Sequence, residues 1–173
     1  MRLPTLLAAL LLAAACAGGE PGGPSRASGS VCVALFQEFD ALERMYPPNQ
    51  RRYADRVARP LVEAQAQRIR QAGCITMTRD LAGMEATGGG PVTDAGPALA
   101  RPVPLHAGVV TNMQDDARAR AFFAGHGIPA RSIGSAPLGR RIYLGPFATE
   151  AALDQARDLA LRAGFVAPYP VSF

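Results

Sequence analysis

The sequence predicts an α+β protein: a small helical hairpin followed by an antiparallel sheet with helices on one face. Three observations predict it. Residues 141–147, Arg-Ile-Tyr-Leu-Gly-Pro-Phe, alternate in character as a strand does, with Ile142 and Leu144 on one side and Arg141 and Tyr143 on the other. A helical stretch follows, and the same strand-then-helix order occurs once earlier, from Val109. Further upstream, residues 31–77 carry apolar side chains at helical rather than alternating spacing.

In the C-terminal part, residues 104–173, Gly145-Pro146 is expected to end the strand, because proline has no N–H for a ladder. Thr149 is placed to cap the next helix, with Glu150 in its first turn. Ala152/Leu153, Ala156, Leu159/Ala160 and Ala163 form its apolar stripe, Gly164 stops it, and Phe165 to Val171 reads as a last strand. The earlier copy lays Val109–Met113 over Tyr143–Phe147. A helix from about Gln114 to Ala124 follows, then a stop at Gly125-His126-Gly127 and a strand over Ile128–Gly134. Strand–helix–strand, twice, is the split βαβ plan of ferredoxin-like βαββαβ domains, with two helices on one face of the sheet and the other face open.

Arg-Ile-Tyr-Leu-Gly-Pro-Phe, the helix rich in Ala and Arg, and then Arg162-Ala163-Gly164-Phe165 resemble the SPOR domain, the sporulation-related repeat. The resemblance covers residues 104–173. In the first half-repeat the family's Gly-x-Phe is Thr111-Asn112-Met113. SPOR domains bind bacterial cell-wall peptidoglycan, so the resemblance implies a partner: peptidoglycan glycan strands stripped of their stem peptides. A glycan reader needs hydrogen-bond donors, a shallow groove and a ring to stack on. The face away from the helices supplies Arg141 and Tyr143, with Thr111, Asn112 and Gln114 at the neighbouring strand-to-helix turn and Arg131 on strand two.

Residues 1–15 read as an export signal: Arg2, an apolar core over Leu6–Leu12, then Ala13-Ala14-Ala15. The segment is too short to cross a bilayer. Cys16 follows directly, and Leu-Ala-Ala-Ala-Cys resembles a bacterial lipobox. Lipidation at Cys16 would anchor the protein in the envelope. Ala17 after it implies the outer membrane by the lipoprotein sorting rule. Cleavage after Ala15 or Ala17 instead would leave a soluble periplasmic protein. Residues 16–30 form a Gly/Pro/Ser-rich tether.

The hairpin spans residues 31–80. Cys32, Leu35/Phe36, Phe39, Leu42 and Tyr46 mark its first helix. Tyr53, Val57, Leu61, Ala64, Ile69 and Ala72 mark its second, with a break or kink expected at Pro60 and a stop at Gly73. Once Cys16 is consumed, Cys32 and Cys74 are left to pair. Such a staple suits a core this small, with free buried thiols or a redox pair as the alternatives. Residues 81–103, with Gly88-Gly89-Gly90-Pro91, read as a linker that leaves the two folded parts free to reorient.

Chemistry is scarce. Of the two histidines, His106 lies by the linker end and His126 in a helix stop, neither with a partner at metal-ligand spacing. Asp115-Asp116 sits where acids complement a helix start. No nucleophile elbow or phosphate loop occurs, so no enzyme, cofactor or metal is expected. All 18 basic residues are Arg, and the net charge of +4 is mild. The export signal argues against nucleic acid. Two functions stand: a non-catalytic peptidoglycan binder, or an envelope protein whose hairpin or open sheet face binds another protein.

Overall fold

The computed structural model describes residues 27–46, 51–76, 81, 84, 90–135 and 137–171. The export signal, Cys16 and most of the tether lie outside these residues. Two helices come first, α1 (Gly29–Met45) and α2 (Arg51–Gln71). Then follow β1 (Ala98–Val110), α3 (Met113–Gly125), β2 (Ala130–Ser135), β3 (Gly139–Thr149), α4 (Glu150–Arg162) and β4 (Tyr169–Pro170). The four strands form one antiparallel sheet in the order β2-β3-β1-β4.

Helix boundaries follow local chemistry. Thr149 Oγ1 accepts from the Ala152 amide at 3.2 Å and starts α4. Asn112 Oδ1 accepts from the Asp115 amide at 2.8 Å and starts α3, and its Nδ2 donates back to Asp115 Oδ2 at 2.7 Å. Helices α2, α3 and α4 end in one motif. The amides of Cys74, Ile128 and Phe165 reach back to the carbonyls of Ile69, Phe123 and Ala160, and those of Gly73, Gly127 and Gly164 to Arg70, Ala124 and Leu161. This is the Schellman stop, which needs a left-handed residue between helix and exit, and all three glycines have positive φ. Each apolar residue after the glycine is buried, so the stop also aims the chain into the core.

Several expected boundaries move. Gly145-Pro146 does not end β3, which runs on to Thr149. The β1 partners step from Leu105↔Leu144 to Val103↔Phe147, so the dipeptide is absorbed as a bulge in a continuing ladder. Strand β1 begins at Ala98, inside the expected linker, while the last strand shrinks to Tyr169–Pro170. Helix α2 runs through Pro60 without interruption. An interior proline costs about 3 kcal/mol. The buried face around it offsets that cost: Ala58, Gln65, Ala66 and Ile69 are buried. Ile69 and Ala72 face the core as expected, while Leu61 and Ala64 are exposed and Gln65 and Ala66 take their place.

The sheet is buried on both faces. Helices α3 and α4 cover one, packing Ala119, Phe123, Leu153, Ala156, Leu159 and Ala160 against Leu105, Ile142, Leu144, Phe147 and Phe165. The hairpin covers the other. Phe36, Phe39, Leu35, Ile69 and Cys32–Cys74 form one cluster with Val109, Leu138, Tyr143, Ala167, Tyr169 and Val171. The result is three layers, helix pair on sheet on helix pair. A bulge in β1 makes the two faces compatible: His106 pairs with Tyr143 and Gly108 with Ile142, leaving Ala107 extra. His106 and Val109 therefore both face the hairpin, while Leu105 and Val110 join the other core.

The Cys32–Cys74 disulfide is present, with Cα atoms 5.4 Å apart. A straight hairpin allows it because the open ends align: the Ala27 amide donates to the Ala72 carbonyl, and Gln65 Nε2 to the Leu35 carbonyl. The expected freedom of the two parts does not hold. The Thr76 amide donates to the Val109 carbonyl at 3.0 Å, and Arg70 donates to the Pro137 carbonyl. Leu81 and Met84, from the expected linker, are buried in the α3/α4 core.

Candidate functional site

Alternation in β3 sends Arg141 and Tyr143 away from α3 and α4, as the sequence requires. That face is not open. Arg141 is 6% exposed and Tyr143 5%, because α1 lies over them. Arg141 donates through Nη1 to Asp40 and through Nη2 to Glu43 Oε2 at 2.6 Å. Its guanidinium carbon lies 4.7 Å from the centre of the Phe39 ring. Tyr169 donates from its hydroxyl to Asp40 Oδ2 at 3.1 Å. One turn of α1 thus gives the two terminal nitrogens of the arginine a carboxylate each and its plane an aromatic face, while its buried Nε has no hydrogen-bond partner among the described residues. Burial opposes the arginine's charge, but Asp40 and Glu43 outweigh it and hold its pKa above the usual value. Burial raises Tyr143 and Tyr169, and the charge of Asp40 adds to both.

Beside this network His106 is 1% exposed, walled by Phe36, Tyr143 and Tyr169 with ring centres at 5.0, 5.3 and 4.9 Å. Neither ring nitrogen has a hydrogen-bond partner among the described residues. Burial, helped by the charge of Arg141, lowers its pKa from 6.5 to about 3, so the imidazole is neutral. From sequence, His106 is only a histidine beside the linker end with no partner at metal-ligand spacing. The bulge that turns it toward the hairpin is set by cross-strand register, which alternation alone does not reveal.

The six expected glycan contacts separate into two groups. Arg131, Arg141 and Tyr143 are together: Arg131 pairs with Tyr143 across the ladder, and its guanidinium carbon lies 5.8 Å from the Tyr143 ring centre. Only Arg131 of the three is exposed. Thr111, Asn112 and Gln114 are exposed but lie beyond Val110, which is level with Arg140. That is about 10 Å along the strands from the Tyr143 level. Asn112 is committed to capping α3. Asp115 and Asp116 are buried at the start of α3, and Asp116 also holds Arg120 and Arg140 at 3.1 and 3.3 Å.

Among the described residues no cluster of three or more His, Cys, Asp or Glu could hold a metal ion, and no helix is long and apolar enough to cross a membrane. Compared with protein-family models, curated proteins and solved structures, the chain finds no match.

Proposed function

We propose that this chain is a non-catalytic cell-envelope protein that binds peptidoglycan glycan strands through a SPOR-like domain of ferredoxin-like plan. The observation that carries the reading is the β3 motif, Arg141 to Phe147, lying in a sheet of order β2-β3-β1-β4 with both crossover helices on one face. The buried disulfide supports export, since such bonds persist in oxidising compartments. On this reading the protein is periplasmic, held to the outer membrane by lipid on Cys16.

The hairpin then competes with the ligand. Asp40 and Glu43 occupy the guanidinium that glycan carboxyls and hydroxyls would use, and Arg131 at the uncovered edge is the first contact. Co-sedimentation of the full chain with peptide-stripped sacculi tests the reading. The chain should pellet with sacculi, and Asp40→Ala with Glu43→Ala should raise the bound fraction by loosening α1. Absence of binding by both proteins would overturn it.

The covered face favours a second reading. If the hairpin stays docked, the three-layer body is an envelope interaction protein with a protein partner. Failure of the glycan test with an intact fold selects this reading.

A further inference from the structure

The other side of the molecule carries a feature that the sheet-face reading does not use. A cavity of about 220 Å³ opens between the end of α3, the segment at Val92 and the outer surface of α4. Gln155, Asp158, Leu159 and Arg162 line it at helical spacing, as one stripe of α4, with His126 and Val92 opposite. Leu159 and His126 are buried, so the floor is built, while Gln155, Asp158 and Arg162 rise at the rim. The Gln155 carbonyl oxygen accepts from the Thr93 amide at 3.3 Å, which ties the Val92 wall to α4.

The charges are the informative part. Asp158 and Arg162 stand four residues apart with the acid first, the spacing and order that close an ion pair on a helix. Other helical pairs do close: Arg157 meets Asp154 on α4 itself at 2.6 Å, and Arg59 meets Glu63 on α2 at 2.8 Å. Asp158 and Arg162 do not, and neither has another partner among the described residues. One acceptor-only group and one donor-only fork therefore face the same small space unspent. His126 adds an anchored ring. Its Nδ1 donates to the Phe122 carbonyl at 2.9 Å, since a carbonyl only accepts, and this fixes the ring's orientation in the wall.

We propose that this cavity is a subsite for a single sugar ring that carries a carboxylate. The volume is below the roughly 300 Å³ at which pockets for drug-sized molecules begin, which restricts the ligand to about one ring. Leu159 and Val92 present an apolar wall to the C–H face of a pyranose. Arg162 takes the carboxylate as a two-pronged donor. Asp158 and the Gln155 amide take hydroxyls and an amide. A neutral sugar leaves Arg162 unpaired. The subsite lies across α4 from the Arg141 face, so it stands or falls apart from sheet-face binding.

The test is titration of the full chain with N-acetylmuramic acid, followed by amide chemical shifts. N-acetylglucosamine, the same ring without the lactyl carboxylate, is the control. The expected result is saturable shifts over residues 155–162 and around His126, with N-acetylglucosamine at least tenfold weaker. Arg162→Gln should weaken N-acetylmuramic acid at least tenfold, and Asp158→Asn severalfold. Both positions are exposed, and unchanged melting confirms the fold. No saturable binding at millimolar concentration, equal affinity for the two sugars, or indifference to Arg162→Gln would each overturn the proposal. Sacculus binding without N-acetylmuramic acid binding removes the subsite and leaves the glycan reading. The opposite result keeps the subsite and removes that reading.

Discussion

His106 is the residue whose environment has the plainest consequence in solution. In the folded protein its pKa is about 3, against 6.5 for an unhindered imidazole. Below pH 6.5 the unfolded chain takes a proton that the folded chain refuses. Stability is therefore full above about pH 6.5 and falls as pH drops toward 3, with a slope of up to about 1.4 kcal/mol per pH unit from this group. Arg141, Tyr143 and Tyr169 are the ionisable groups around it, and the arginine's charge works in the same direction. His106→Leu should remove this part of the acid sensitivity, read as a flatter plot of unfolding free energy against pH. At pH 7.5 the variant should be at least as stable, because two unpartnered ring nitrogens leave the core.

Arg141 behaves in the opposite way. Removing it leaves the mostly buried Asp40 and the partly exposed Glu43 without their cation and empties a buried position. Arg141→Ala should cost roughly 2–4 kcal/mol in denaturant unfolding, below the full cost of a buried pair because Glu43 keeps part of its hydration, whereas Arg141→Met with Asp40→Leu should recover most of it. The expectation that Arg141 is a free surface residue gives way here: its alanine variant tests folding before it tests any ligand.

At the scale of elements, the segments with strong local signals form as the sequence leads one to expect. Gly73, Gly127 and Gly164 stop their helices and Thr149 starts one, because each acts through backbone groups within five residues. Such signals are visible in any short window. Features governed by distant partners were not. The linker expected over residues 81–103 takes in the first half of β1, whose ladder against β3 is set by the chain between Leu144 and Thr149. In the middle of α2 the apolar pattern misleads, because Gln65, a polar residue, fills a core position by donating to Leu35 and Glu38 while Leu61 is exposed. Asn112, expected at a sugar contact, caps α3 instead. The β2–β3 turn gives a sharp test of local geometry. Gly139 has φ +126°, and a Cβ there would sit 2.6 Å from the Val110 carbonyl oxygen. Gly139→Ala should destabilise by about 2–4 kcal/mol in a urea titration, since backbone on both sides must shift.

For the whole molecule, the sequence yielded the parts and missed their assembly. Arg141 and its partners Asp40 and Glu43 are 101 and 98 residues apart, and no local pattern announces that two such charges meet. The disulfide follows the same logic. It closes a loop of 42 residues, which in the chain-entropy model is worth about 4 kcal/mol. Because the hairpin is one layer of the core, Cys32→Ala with Cys74→Ala should lower the melting temperature of the entire molecule in one transition. An early, separate melting of α1 and α2 in calorimetry would instead mark them as an independent unit.

The docking of α1 on the sheet, which seals the face holding His106, Tyr143 and Arg141, is what joins the hairpin and the sheet into one body. The His106 ring reports it directly. In a side-chain NMR titration of the folded full chain, a sealed face predicts that the His106 carbon-bound ring protons hold the neutral shift from pH 8 down to pH 4.5. A midpoint near 6.5 at His106, in protein that remains folded, would mean that water reaches the ring and that the hairpin does not cover the sheet.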